Sequence, residues 1–327
     1  MYSKIKYIIC LFLFVVLFCS CGNTDTVNFN KIDFVLDWIP NTNHTGVYVA
    51  DKLGYFEEEG IKVSIKQPPE DGATTIVASG KAQFGVDFQD SLASAFSLDE
   101  PMPITAVAAI LQHNTSGIIS LKSKEITRPS ELENSTYSVW NGPIEIPMLK
   151  YIIEKDDGNF NKVNLMPNTV SDVINGLNSD VDAMWIYYNW DGIATEVKGL
   201  DTNFFYFKDI DPVLDYYTPV IIANNDYIQS NPDITKRFLR AVSKGYEYCI
   251  NNPNEAAEIL LKEVPELDRD ITIKSQEWVS KQYKAEESEW GHIDSERWNS
   301  FYRWVYDNSL ISNNIADNFG FTNYYLP

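Results

Sequence analysis

Cysteine is nearly absent from the part of this chain that folds. Four cysteines occur in 327 residues, and Cys10, Cys19 and Cys21 all fall at the amino terminus. Cys249 is left alone, which excludes an internal disulfide or a cysteine metal cluster. Its neighbours, Tyr246-Glu247-Tyr248 and Ile250, point to a buried helix position rather than a nucleophile. Histidine is scarcer still, with three residues. His44 and His113 each stand without a Cys or His at metal-ligand spacing, so no metal site is expected. Positive charge is also short, with 26 basic against 46 acidic residues and a net charge of −20. Such a balance argues against nucleic acid as a partner and against a face lying on anionic lipid.

An apolar run long enough to cross a bilayer is missing as well. Tyr7 to Phe18 is apolar throughout and follows Lys4 and Lys6, but a spanning helix takes ~20 residues. The run instead has the form of an export signal. It closes on Leu17-Phe18-Cys19-Ser20-Cys21-Gly22, which resembles a bacterial lipobox. Residues 1–20 are therefore expected to be a lipoprotein signal peptide, 21–30 a polar tether, and Cys21 the lipidated residue. Ser20 favours Cys21 as a small residue at the cleavage position, and Cys19 is the competitor. A lipid of this kind, palmitate included, would hold the protein on the extracytoplasmic face of a cell membrane.

Beyond the tether, strand signals alternate with helix signals. Strands are expected at Ile32–Leu36, Lys62–Ile65, Phe84–Val86, Thr136–Val139, Val163–Met166 and Ala183–Tyr187. Helices are expected at Val47–Leu53, Ala73–Ala78, Ser91–Leu98, Ile144–Ile153, Val170–Leu177 and from about Gly192. This grammar predicts open, largely parallel α/β sheets. After Asn224 the chain reads as helical, broken at Pro232 and Pro253. Ile104 to Leu111, with Ile118 to Leu121 beyond it, and Thr218 to Ala223 are β-rich apolar passages at changes of grammar. They are expected to be crossovers between two lobes. Lobe 1 would comprise 31–115 and 222–327, and lobe 2 would comprise 116–221. A chain of this length favours two cores, because single cores stop growing at ~250–300 residues.

Ligands of open α/β sheets bind at the carboxyl ends of the strands. Four such junctions stand out: Asp37 to Gly46, Asp87 to Asp90, Trp140 to Pro143, and Tyr187 to Asp191. All four carry aromatic and uncharged hydrogen-bonding groups, three carry a carboxylate, and none carries Lys or Arg. That combination suits a flat, nitrogen-containing, neutral or weakly cationic ligand, with rings stacking and amides or carboxylates reading nitrogens. An anion would be expected to meet Arg, Lys or a glycine-rich helix start.

At these residues the chain resembles a known family. Leu36-Asp37-Trp38-Ile39-Pro40-Asn41-Thr42-Asn43-His44-Thr45-Gly46, followed by Gly54-Tyr55-Phe56 and Gly60-Ile61, is similar to the opening of the thiamine-pyrimidine-precursor binding proteins. Those belong to a group that also includes the thiamine-pyrimidine synthases. Ala78 to Gly85, Gly142 to Glu145 and Tyr188 to Gly192 resemble further blocks. The resemblance implies a type II periplasmic-binding-protein fold, with two α/β lobes, a ligand cleft and two crossover segments. It implies a substrate-binding protein of an ABC importer, serving thiamine biosynthesis through pyrimidine salvage and working with a permease and its ATPase. The ligand would be formylaminopyrimidine or hydroxymethylpyrimidine. The expected ligand-binding residues are Asp37, Trp38, Asn41, His44, Gln89, Tyr187, Tyr188 and Asp191. Trp38 would stack, Asn41 or Gln89 would hydrogen-bond, and closure would bring Tyr187, Tyr188 and Asp191 onto the other ligand face. No cofactor is expected.

Relatives usually carry glutamate at the Asp191 position, one methylene longer. The rival class is the synthase enzyme, whose chemistry needs a Schiff-base lysine and a histidine donor where this chain has Asp87 and Ser91. Asp87 supplies no amine, so no catalytic residue is expected. A riboflavin-like or sulfonate cargo on the same fold is the further alternative.

Overall fold

The computed structural model describes residues 29–68, 72–140, 142, 144–167 and 172–327. The apolar signal run, Cys21 and most of the tether lie outside the described residues, as do Asn141, Pro143 and Val170. No helix among the described residues is long and apolar enough to cross a membrane.

The strands are β1 Asn30–Val35, β2 Ile61–Lys66, β3 Phe84–Asp87, β4 Ile104–Ala109 and β5 Ser116–Leu121, then β6 Thr136–Val139, β7 Asn164–Pro167, β8 Ala183–Tyr187, β9 Thr202–Tyr206 and β10 Val220–Asn224. They form two five-stranded sheets, ordered β2-β1-β3-β10-β4 and β7-β6-β8-β5-β9. The result is a two-lobed α/β fold in which one sheet centres each lobe.

The parallel expectation holds for half of each sheet. β1 pairs parallel with β2 and β3, and β6 with β7 and β8. β10 runs antiparallel to both β3 and β4, and β5 antiparallel to both β8 and β9. The reason is connectivity. A parallel neighbour is reached through a crossover helix on the sheet face, whereas β5 and β10 each enter directly from the other sheet.

The apolar passages expected as crossovers are strands. β4, β5 and β10 are almost wholly buried, and a strand covered on both faces reads as a continuous apolar run. The chain passes between the sheets in the segments 110–115 and 207–219 on either side of them. β10 opens at Val220, and its ladder lies entirely in the first sheet.

Three apolar clusters fill the interior. One packs the first sheet against the helices Thr45–Lys52 and Pro232–Asn251, through Phe34, Val47, Phe238 and Tyr246. Cys249 is buried there as a free thiol. The second runs from the first sheet to the second through Phe207, Leu214 and Tyr216. The third lies on the far face of the second sheet, with Ile119, Met184 and Ile186.

Candidate functional site

The four strand-end junctions converge on one cavity of about 300 Å³. From the first sheet come Asp37, Trp38, Asn41 and Asn43 after β1, and Phe88, Asp90 and Ser91 after β3. The second sheet supplies Trp140 and Glu145 after β6, and Tyr187, Asn189, Trp190 and Asp191 at the end of β8. Among the described residues, no lining residue is Lys, Arg or His.

The turn after β1 is held by reciprocal capping. Asn41 caps a single helical turn, Thr42–His44, and its Oδ1 accepts the Asn43 N–H at 2.9 Å. His44 Nδ1 accepts the Asn41 N–H at 3.1 Å. A ring nitrogen that accepts carries no proton, so His44 is the neutral tautomer with its hydrogen on Nε2. That Nε2 donates to Asp37 Oδ1 at 2.6 Å. His44 is fully buried and does not line the cavity; it orients Asp37 without neutralising it. Tyr246 adds a hydrogen bond to the Asn43 carbonyl at 2.7 Å. Gly46 follows, where a Cβ would strike the Tyr246 ring, so this turn needs glycine to sit against the long carboxyl-terminal helix.

After β3 the chain turns straight into the helix Gln89–Phe96. Gln89, expected to face the ligand, is buried in the core instead. Its Nε2 donates to the Trp298 carbonyl at 3.0 Å, and its Oε1 accepts the Tyr217 N–H at 2.9 Å. Asp90, one residue on, lines the cavity. Burial and the charge of Asp87 push its carboxyl up to about 7. Asp87 itself is raised to about 6 by burial, against hydrogen bonds from Thr74 and the Phe88 N–H.

On the second sheet, β8 ends in an unusually wide helical turn, Tyr188–Gly192. Wide turns of this kind recur at functional sites. The turn sends Tyr188 away from the cavity: its hydroxyl donates to Glu196, and its ring packs with Phe204, Tyr206 and Trp278. Tyr187 and Asp191 face inward. Tyr187 stacks on Phe88 of the other lobe, with ring centroids 5.3 Å apart and planes at 15°. Burial raises the Asp191 carboxyl to about 7.

Five of the eight expected residues are thus brought together: Asp37, Trp38, Asn41, Tyr187 and Asp191. His44, Gln89 and Tyr188 lie outside the lining. Trp38 and Trp140 line the cavity at its solvent-open side, 51% and 41% exposed. Sequence reasoning had missed Trp185 and Glu145. Glu145 is buried at the first position of its helix, where it accepts from Tyr137 Oη at 3.1 Å, the Trp140 N–H at 3.0 Å and the Gly142 N–H at 3.3 Å. An acid at a helix start was the available signal. Trp185 lies mid-strand, where sequence does not separate a pocket wall from core.

A cavity at strand ends, between two α/β lobes joined by two crossing segments, defines a protein built to surround a small solute. Its fold is the type II periplasmic-binding-protein fold. The chain belongs to the NMT1/THI5-like family, whose profile matches residues 41–256. It is 28% identical over 311 residues to the formylaminopyrimidine-binding protein of Halalkalibacterium halodurans, covering 91% of this chain and 92% of that one. It is 25% identical over 267 residues to a 4-amino-5-hydroxymethyl-2-methylpyrimidine phosphate synthase of Saccharomyces cerevisiae, covering 75% of this chain and 74% of the enzyme. Among solved structures, the alkanesulfonate-binding protein SsuA of Xanthomonas axonopodis pv. citri, bound to MOPS, superposes with a TM-score of 0.68 at 9% identity. That match covers 89% of this chain and 98% of the other. At such identity the likeness speaks for the fold alone.

Proposed function

We propose that this protein is the extracytoplasmic substrate-binding component of an ABC importer, and that its cargo is a thiamine pyrimidine precursor, formylaminopyrimidine or hydroxymethylpyrimidine. The observation that carries this reading is the lining, which among the described residues has four carboxylates, six aromatic rings and no basic side chain. Indole and phenol faces hold a flat heterocycle, and carboxylates accept from its amine and protonated ring nitrogen. A cavity of about 300 Å³ is at the small end of ligand pockets. It suits a single ring better than a three-ring flavin. A sulfonate would meet buried carboxylates and no counter-charge, which disfavours that cargo despite the shared fold.

The similarity to a binding protein over nearly the whole chain agrees with capture rather than catalysis. The related synthases raise an enzymatic reading, but Asp87 stands where their lysine is implied, and it has no amine with which to form an imine. Ser91 likewise stands in place of the histidine donor. Capture would proceed by hinge motion of the lobe built on the first sheet against the lobe built on the second, about the linking segments 110–115 and 207–219. The ligand favours the closed form because only that form supplies both walls. Lipidation at Cys21 would hold the protein beside its permease and ATPase, and rests on the amino-terminal sequence pattern.

Native mass spectrometry of the purified protein, followed by titration calorimetry with formylaminopyrimidine, tests the reading. A co-purified pyrimidine mass or saturable binding supports it. Binding of sulfonates with indifference to aminopyrimidines would replace the cargo and keep the fold.

A further inference from the structure

We propose that Asp90 is a second specificity-determining carboxylate of the cavity, independent of Asp191, which selects a cargo bearing an exocyclic amine or a protonatable ring nitrogen. The inference rests on the binding role proposed above and deepens it.

Asp90 is nine-tenths buried and lines the cavity from the first lobe. Its Oδ1 is shielded from solvent and has no hydrogen-bond partner among the described residues. The two other acids of this lobe's strand ends differ. Asp37 accepts from His44 Nε2 at 2.6 Å. Asp87 accepts from the Phe88 N–H at 2.7 Å and from Thr74. Asp90 alone of the three has a fully enclosed oxygen without a hydrogen-bond partner, while the residue itself lines the cavity.

A carboxylate oxygen removed from water and left without a donor is costly, so the free site must neutralise it or await a donor. Among the described residues, no cation lines the cavity to do so. The nearby charge of Asp87 adds repulsion, and together with burial it holds the Asp90 carboxyl up to about 7. The phenols of Tyr187, Tyr216 and Tyr302 are its other titratable neighbours, and burial keeps all three neutral. A ligand N–H, or a ligand cation, that approaches the Asp90 carboxylate from the cavity offsets that cost. A neutral carbonyl at the same place offers only a second acceptor. Asp90 thereby discriminates an aminopyrimidine from its oxo analogue, while Asp191 acts from the opposite lobe.

The test compares wild type with Asp90→Asn, using 4-amino-5-hydroxymethyl-2-methylpyrimidine and the corresponding pyrimidin-4-one, which lacks the amine and is not basic near neutrality. Thermal melting without ligand is read alongside calorimetric affinity. Asp90→Asn removes a buried unpaired charge at constant shape, so it should melt at or above the wild-type temperature. It should nonetheless bind the aminopyrimidine at least tenfold more weakly and narrow the preference over the pyrimidinone. A merely structural Asp90 would lower the melting temperature and leave that preference unchanged, which would overturn the inference. So would unchanged affinity, and in either case wild-type binding of the aminopyrimidine would leave the cargo assignment standing. If wild type binds neither pyrimidine, the cargo assignment and this inference fall together. Asp90→Ser, smaller and also neutral, serves as the second variant if the amide does not fold, with the same outcomes expected.

Discussion

The Asn189 side chain donates from Nδ2 to Asn43 Oδ1 at 2.9 Å, joining the turn after β8 in the second sheet to the turn after β1 in the first. The link is reinforced nearby. Ser275 donates to the Asn189 carbonyl, so its oxygen must accept from Thr42 Oγ1, 2.6 Å away. Thr115, at the end of one linking segment, donates to Asn189 Oδ1 at 2.8 Å. All of these groups are buried, and the two asparagines also line the cavity.

That arrangement predicts coupling between lobe contact and ligand retention. Asn189→Ala removes the bridge and leaves Asn43 Oδ1 without this donor, at a cost of about 1–2 kcal/mol. The closed form should lose that much relative to the open one, weakening ligand affinity about five- to thirtyfold. The change should appear chiefly as faster dissociation in stopped-flow fluorescence. An unchanged dissociation rate would mean the contact persists in both forms.

Trp38 separates binding from folding. Its side chain is half exposed at the cavity mouth, so the core gains little from it. Trp38→Ala should reduce aminopyrimidine affinity at least tenfold while the melting temperature stays within a few degrees. Early melting with intact binding would make it a packing residue.

Asp191 tests the ligand class and carries a pH signature. Losing a charge-assisted hydrogen bond to a ligand amine costs ~1.5–3 kcal/mol, so Asp191→Asn should weaken binding roughly tenfold to more than a hundredfold. Asp191→Glu should be close to neutral. Because burial raises this carboxyl to about 7, the folded protein holds a proton that the unfolded chain releases near pH 4. Stability from this group therefore falls as pH rises from about 4 to about 7. Asp191→Asn should flatten that part of the stability profile, measured by urea unfolding without ligand.

His113 gives a slope of the same sign at higher pH. Its Nδ1 lies 2.6 Å from Asp215 Oδ2 and its Nε2 lies 2.8 Å from Glu286 Oε2. Protonated, the ring donates to both, tying the two segments that link the lobes. The Asp215 hydrogen bond is the main cause that raises the His113 pKa, against burial. Stability from this cluster is fully present below about pH 6.5 and is lost as pH rises through the raised folded value. His113→Gln should lower the melting temperature by a few degrees at pH 6 and by less at pH 9. Equal losses at both values would show that packing, not charge, is what the ring contributes.

Much of this was legible in the residues. β8 falls at Ala183–Tyr187 and β6 at Thr136–Val139, as periodicity predicts. The lack of Lys and Arg at every strand-end junction already indicated a site without positive charge. The same local signal erred at β4, β5 and β10, because apolar runs mark burial and do not say which sheet provides it. It also chose Gln89 over Asp90, since neighbours at the start of a helix differ in direction by about 100°.

The sequence by itself determined the alternation of strands and helices, the family, and the acidic and aromatic chemistry of the strand ends, because these depend on short-range pattern and composition. Which side chains meet was decided only by the tertiary structure. Asn43 and Asn189 are 146 positions apart, and Tyr187 and Asp191 share a wall because the wide turn between them folds Tyr188 outward. Local pattern reports how a residue faces its own element. A cavity between two sheets depends on how those elements are set against each other, and that follows from packing over the whole chain.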